Sequence, residues 1–513
     1  MNTKYLKSCA IAAGAAALAV GCAYLPSVGP DYEERYFDVP PQALPDAGLA
    51  PSNLNANCEY VPAEPKDDVR VEVSQNEIEQ WWTRFNDPVL VSLIDTAVTN
   101  NLSFRQAIAR LAQSEYELLG SYAAFLPKFG VGAAWSRNWY GRRTPSYESS
   151  YQSAYKNGNR MGNFQNYNVQ KFGLDGDWEL DIFGGNRRAS EAALAQAEAE
   201  GWTVADAWVA LTTQIGKSYI NLRTVQTRLE VARTNLVLQS ETYDILKSRL
   251  DSGIGDELAV NQCAYIVEQT RAAIPSLLAQ EEALKNSLTI LAGGVPGSMH
   301  DLLAPLSVRR DWLLAPQKVT ELKLDMIRSR PDVQIAERNL AAQTARIGVA
   351  RAAWFPKLFI NGSVGWQNNN SYKIFARDSF FATLGPSVSW PIFQGGAIYA
   401  NVKATEARTE QLALAYEAAV DNAYAEVRNA YSAYTQEYHR YQALGAAVKA
   451  ATDAVTISKD LYKNGLKDFN NVLDAQRSRL QLEEAHVISR GQITLELINL
   501  YRALGGGLAS AEE

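Results

Sequence analysis

Residues 352–366 read Ala352-Ala353-Trp354-Phe355-Pro356-Lys357-Leu358-Phe359-Ile360-Asn361-Gly362-Ser363-Val364-Gly365-Trp366. The chain has already said nearly the same at 123–135: Ala123-Ala124-Phe125-Leu126-Pro127-Lys128-Phe129-Gly130-Val131-Gly132-Ala133-Ala134-Trp135. In each copy a helix-forming run closes on a proline and gives way to residues alternating in polarity. Pro127 and Pro356 cannot continue a helix, and each pushes its predecessor toward extended geometry. A helix-to-strand switch stated twice predicts a duplicated chain.

Further landmarks keep step. Trp178-Glu179-Leu180-Asp181-Ile182-Phe183-Gly184-Gly185 answers Trp390-Pro391-Ile392-Phe393-Gln394-Gly395-Gly396. Arg249-Leu250-Asp251-Ser252-Gly253 answers Leu461-Tyr462-Lys463-Asn464-Gly465. Phe183 and Phe393 are 210 positions apart, and Gly253 and Gly465 are 212 apart. Each half also closes on a Leu-Ala-Gly-Gly-like ending, at 291–294 and 503–506.

The segments after the two prolines alternate with period two. Phe129, Val131, Ala133 and Trp135 oppose Gly130, Gly132, Ala134 and Ser136. Phe172, Leu174, Gly176 and Trp178 oppose Lys171, Gly173, Asp175 and Asp177. Leu358, Ile360, Val364 and Trp366 oppose Phe359, Asn361, Ser363 and Gly365, while Leu384, Pro386, Val388 and Trp390 oppose Thr383, Gly385, Ser387 and Ser389. This is the pattern of a strand with one apolar and one wet face, with Trp135, Trp178, Trp366 and Trp390 near strand ends, where an aromatic girdle meets headgroups. Four strands cannot close alone, and an open edge cannot sit in hydrocarbon, so the chain must oligomerise. The loops of the two hairpins are expected at about 137–168 and 367–380.

Long Ala/Glu/Gln/Leu-rich runs at 187–252, 256–292, 397–464 and 468–504 predict very extended helices, with Pro275 the one interruption, and shorter helical stretches precede the hairpins at 88–125 and 317–354. At 1.5 Å per residue a run of ~60 residues reaches about 90 Å. None carries a continuous oily stripe, as suits helices packed side by side around water. Gly253 with Gly255, and Gly465, break the long runs, each followed by a new helix, which predicts tight turns at one end of the helical part.

At the N-terminus Lys4 and Lys7 precede an apolar run from Cys9 to Val20, too short to span a bilayer, that ends Leu18-Ala19-Val20-Gly21-Cys22. This resembles a bacterial lipoprotein signal, which implies cleavage before Cys22 and lipid on it. Leucine sits four residues before the cysteine and Ala19 occupies the usual leucine place. Ala23 follows the cysteine where inner-membrane retention would use aspartate, so the resemblance implies the outer membrane. The divisions expected are a leader at 1–21, an extended segment at 22–80, a first repeat at 81–300 with its hairpin at 129–180, and a linker at 301–325. A second repeat at 326–506 follows, with its hairpin at 357–391, then a tail at 507–513.

The net charge of −7 with no basic block argues against nucleic acid as a partner. His300, His439 and His486 are scattered, and the cysteines show no zinc spacing, so no metal site is expected. Pairing of Cys58 with Cys263 stays open beside two free thiols. No Ser-His-Asp set or phosphate loop is present, so an enzyme is not expected and no cofactor beyond the lipid on Cys22 is called for.

The chain resembles the TolC-type outer-membrane efflux proteins, closest to their OprM/NodT-like lipoprotein branch. The resemblance is carried by Cys22, Val28-Gly29-Pro30-Asp31-Tyr32, Trp81-Trp82, Phe85-Asn86-Asp87-Pro88 and Asn100-Asn101-Leu102. It continues through Arg330-Pro331-Asp332-Val333, Ala345-Arg346-Ile347-Gly348-Val349-Ala350-Arg351 and Val472-Leu473-Asp474-Ala475-Gln476-Arg477. It implies an α+β membrane protein: a homotrimer whose 12-stranded outer-membrane β-barrel, four strands per chain, continues into a long periplasmic α-helical barrel. It implies docking onto a periplasmic adaptor and, through it, an inner-membrane transporter of the resistance-nodulation-division type. The function implied is an exit duct for drugs or other small molecules, closed at its periplasmic tip until engaged. A duct for type I protein secretion and a non-conducting scaffold lipoprotein are the alternatives.

For the gate, the resemblance places Asp474 on the lumen near the closed end, as a ring of three carboxylates with Arg477 or Lys467 as partners. Asp474 and Arg477 share a helix face by their spacing. Tyr462 matches a position that hydrogen-bonds a neighbouring helix in the closed state, and Asp256 and Gln262 occupy the equivalent turn of the first half. Asn470 and Asn471 stand where relatives place a leucine ring or a second aspartate, which implies a more neutral constriction here.

Overall fold

A computed structural model describes residues 27–33, 80–141, 164–305, 327–368, 373–464 and 466–506. Cys22, Cys58, Gly465, the leader, most of the 22–80 and 301–325 segments and the 507–513 tail lie outside the described residues. Among those described, seven α-helices and four strands run in order: α1 (Pro88–Asn100), α2 (Leu102–Tyr122), β1 (Lys128–Gly141), β2 (Phe164–Leu180), α3 (Gly185–Asp251) and α4 (Glu257–Leu291), then α5 (Pro331–Ala352), β3 (Lys357–Asn368), β4 (Phe380–Ser389), α6 (Ala397–Lys463) and α7 (Phe469–Ala503).

The duplication is visible in the lengths: α3 and α6 have 67 residues each, α4 and α7 have 35 each. Pro127 and Pro356 stand between helix and strand, one residue before β1 and β3. A tryptophan fastens both switches. The Trp178 indole N–H donates to the Phe125 carbonyl at 2.9 Å, and that of Trp390 donates to Trp354 at 3.0 Å. Each acceptor lies two residues before its proline. Pro275 does not interrupt α4, contrary to expectation: the helix runs through it. The proline removes one donor, at the Arg271 carbonyl, and packing of the flanking Ile274 and Leu277 against Val225 and Leu229 of α3 holds the helix across that gap.

The chain forms two compact units, each built from matching pieces of both halves. One draws on Met1–Glu34, Gln113–Glu198 and Arg338–Ala413, the other on Arg35–Ala112, Ala199–Glu337 and Leu414–Glu513.

The first unit contains an antiparallel sheet in the order β1-β2-β3-β4. The strands outrun the expected loops, β1 reaching Gly141 and β2 starting at Phe164. Register puts Val131, Leu174, Val364 and Ala382 in one row, and Gly132, Gly173, Gly365 and Phe381 in the next, on the opposite face. The apolar face therefore carries Phe129, Val131, Phe172, Leu174, Val364, Phe380, Leu384 and Val388, all exposed, several above 60%. Trp366 sits on it with Phe172, Phe375 and Phe380, ring centroids 5.7–6.4 Å away. Trp135 is level with Asn368, where β3 ends. The other face is polar: Ser363 Oγ and Lys171 Nζ donate to Asp175 at 2.7 and 2.9 Å, Asn361 donates to Ser387 at 2.6 Å, and Lys357 pairs with Glu179 at 3.0 Å. No described helix is long and apolar enough to cross a membrane.

The second unit holds the main core, where Trp81, Trp82 and Phe85 pack against Leu90, Ile215, Tyr219, Tyr434, Ile498 and Tyr501. Asp87 caps α1 by accepting from Val89 N at 3.0 Å, and also accepts from the Tyr219 hydroxyl at 2.5 Å. Two joints bring the end of a long-hairpin helix onto the start of a short one. Asn101 Nδ2 donates to Leu291 O at 2.9 Å while its Oδ1 accepts from Phe104 N, tying α4 to α2. Arg330 Nη1 donates to Ala503 O at 2.7 Å, and its guanidinium pairs with Asp332 and Glu426 at 2.7 Å each, tying α7 to α5.

Candidate functional site: the helix-turn tips

The long helices turn back at Ser252–Asp256 and around 464–468. At the first, Gly253 adopts φ +73°. Its N–H donates to Leu250 O at 2.8 Å and Ile254 N–H to Arg249 O at 3.1 Å, the double closure of a left-handed helix terminus. A Cβ on Gly255 would lie 2.4 Å from Leu250 N, so only glycine fits. Asp256 then caps α4 through Leu258 N at 3.0 Å. At the second tip Leu466 N–H reaches Leu461 O at 2.9 Å, the counterpart of the Ile254 bond. Asp468 makes no side-chain cap, and Asn471 bonds the Asp468 carbonyl instead, at 3.2 Å from both its backbone N and its Nδ2.

The two tips pack on each other through Leu246, Val260, Cys263 and Ile266 from the first half and Phe469, Val472 and Leu473 from the second. Burial pushes the Cys263 thiol up to about 11, so it stays protonated and inert. It is free and buried. Phe469, Val472 and Leu473 are spaced i, i+3, i+4, which leaves Asn470, Asp474 and Arg477 together on the exposed flank beside that seam, with exposed Asn471 next to them.

On that face Arg477 stands 3.6 Å from Asp474, whose side chain is 74% exposed. An exposed pair at this spacing is worth about 0.3–0.5 kcal/mol. The second hold on Arg477 comes from Tyr265 on α4: the guanidinium donates to its hydroxyl and lies 5.8 Å from its ring centroid. Tyr462 accepts from Arg249 of α3 at 3.4 Å, with that guanidinium 5.4 Å from its ring, and packs edge-on against Phe469. Lys467 is exposed and forms no ion pair among the described residues. Gln262 is half-buried one turn from Tyr265.

Sequence reasoning therefore named Asp474, Arg477 and Tyr462, which do meet partners, and missed Tyr265 and Arg249. Repeat arithmetic could have found the first, since Tyr265 and Arg477 are 212 apart and occupy the same position in the two halves. Higher on α7, Arg479 and Glu483 pair at 2.9 Å and bracket Asn235 of α3, and Arg228 of α3 pairs with Glu484 at 2.5 Å. These contacts hold α7 to α3 above the tip. The arrangement offers exchangeable polar contacts around a packed apolar seam.

The family described as outer membrane efflux protein matches residues 93–294 and 325–506. Outer membrane protein OprJ of Pseudomonas aeruginosa is 30% identical over 437 residues, covering 83% of this chain and 86% of that one. Nodulation protein T of Rhizobium leguminosarum bv. trifolii is 31% identical over 434 residues, covering 84% and 87%. The solved structure of the outer-membrane channel OprN superposes with a TM-score of 0.77 at 28% identity, covering 94% of this chain and 99% of that one.

Proposed function

Because this chain belongs to the outer membrane efflux protein family, we propose that it is the exit duct of a tripartite efflux system. It passes drugs or other small molecules from an inner-membrane pump and a periplasmic adaptor to the exterior. The observation that carries this is the sheet. One face is apolar and exposed, the other is a polar ladder, and among the described residues β1 and β4 each have a single strand neighbour. Such a sheet is stable in hydrocarbon only when those edges are paired. Three copies supply twelve strands and leave a lumen, whereas two would supply eight and fill it with side chains.

The channel is a homotrimer in the Gram-negative outer membrane, anchored by lipid on Cys22, with its helices in the periplasm. Its rest state is closed at the tips by the Arg477–Tyr265, Arg477–Asp474 and Arg249–Tyr462 contacts. The adaptor seats at the tips, where each half offers one apolar knob in the same place. These are Ile254, 70% exposed, and Leu466, 68% exposed, and nine residues before each stand the equivalent exposed Ile245 and Ile457. Cargo choice belongs to the pump.

The test is purification in detergent, sedimentation, and planar-bilayer recording. A trimer that conducts is expected. A lone polypeptide, or a trimer that passes no current even after tip variants, would overturn the reading. Mass spectrometry of the N-terminal peptide tests the lipid separately.

A further inference from the structure

The Val28-Gly29-Pro30-Asp31-Tyr32 stretch lies outside the strands and long helices described above. It lies in the first unit, seated between α3 and α5. Val28 N–H donates to Phe183 O at 3.2 Å. Gly29 adopts φ +113°, and a Cβ there would come within 2.5 Å of the Gly348 Cα on α5. Gly348 is equally confined: its Cβ would meet Arg188 Cγ at 2.6 Å and Val28 O at 2.8 Å. Two glycines thus let backbone lie on backbone. Arg188, with 4% of its side chain exposed, donates to Asp31 at 2.5 Å, to Glu191 at 2.8 Å and to Gly29 O at 3.4 Å. Tyr32 rests on Ala195, Ala341 and Ala342, with the Arg338 guanidinium 6.0 Å from its ring. Shape at Gly29, charge at Asp31 and an apolar seat at Tyr32 each contribute to the docking.

We propose that this clasp is the fastening for the membrane anchor: it ties the N-terminal segment to the base of its own subunit's strands, confining the lipid to the adjacent membrane rim. The proposal rests on the reading of Cys22 as lipidated. Phe183 and Gly184 follow β2 directly, so the clasp sits at the end of the sheet where the helices begin. Cys22 and Ser27 are five residues apart, a reach of at most about 17 Å of extended chain. That is shorter than the hydrocarbon thickness of about 30 Å, so the acyl chains can enter only the near leaflet beside the strands they serve. Without the segment, the buried Arg188 charge keeps Glu191 as its counter-ion and loses Asp31, so the seated state is favoured. A clasped anchor presents the subunit's open strand edges at one depth, as trimer closure requires.

The experiment uses the full-length protein in a Gram-negative host. Asp31→Arg sets two cations against each other at a residue whose carboxylate is 84% exposed, where the substitution leaves the core untouched. A second variant inserts about twelve Gly/Ser residues after Leu25, adding roughly 20 Å of flexible reach while leaving the clasp intact. The readouts are denaturant-resistant trimer in the outer membrane and the mass of the N-terminal peptide. Each variant should keep the lipid yet lower trimer recovery about tenfold, and combining them should cost no more than either alone. A silent Asp31→Arg, a silent insertion, or multiplying effects overturns the clasp as a lipid fastening. An unlipidated Cys22 in the unaltered protein withdraws the anchor reading itself, and the mass spectrum shows this before any variant is compared.

Discussion

At the tip Arg477 is held by two partners of unequal worth. Asp474 lies on its own helix, mostly in water, and Tyr265 holds it from α4 through both hydroxyl and ring. Tyr265→Phe should therefore raise channel open probability in bilayers more than Asp474→Ala does, and Asp474→Ala with Arg477→Ala should raise conductance further. Unchanged currents in all three would return these residues to the role of surface charge. Asn470 and Asn471 leave one acidic ring where two are common in the resemblance, so divalent-cation block should be weaker than in relatives with both; a titration of conductance decides it. His300 offers a pH test. Its Nε2 faces Glu282 at 2.9 Å and its Nδ1 faces Gly297 O at 2.9 Å, two acceptors that only the imidazolium satisfies. The Glu282 hydrogen bond and then the Gly297 carbonyl raise its pKa, and His300 in turn lowers that of Glu282. A raised histidine pKa gives stability present below about pH 6.5 and lost as pH climbs through the folded value. The unaltered trimer should thus lose melting temperature between pH 6 and pH 8.5 by a margin that His300→Gln abolishes.

Among the elements, the two halves repeat the same devices with different strength. Trp178 and Trp390 fasten equivalent switches, so Trp178→Phe or Trp390→Phe should each lower stability by about 1 kcal/mol, the worth of one hydrogen bond, read as earlier thermal dissociation. The helix joints differ more. Asn101 makes its joint with a neutral amide, while Arg330 uses a guanidinium with two carboxylates. Arg330→Ala should cost about 2–3 kcal/mol, as befits hydrogen bonds to charged groups. These elements were legible before any coordinates: the long helices α3, α4, α6 and α7 begin and end within two residues of the runs read from composition, because proline, glycine and capping residues punctuate locally. Strand ends were less legible, since Tyr140 and Gly141 belong to β1 only by virtue of pairing with Gln165 and Phe164 far along the chain. Tyr265 was invisible for the same reason. A tyrosine on a helix becomes a latch through what another helix brings to it, and local pattern carries no record of that. Pro275 misled because packing across α3 outweighs one missing donor.

For the whole molecule, the feature with the widest reach is the pair of unlike sheet edges, β1 and β4. Joining them between subunits is head-to-tail, so both edges of every copy are paired only in a closed ring, and every incomplete assembly leaves strand backbone bare in the lipid. A subunit spoiled at one edge still offers the other, and it enters rings that it cannot complete. A proline placed at Ala133 in β1 creates such a chain, since it removes a ladder donor while β4 stays whole. Expressed alongside an equal amount of the unaltered protein, it should leave only about one ring in eight free of the spoiled copy. Drug tolerance should fall accordingly, so the defect would be inherited as a dominant trait.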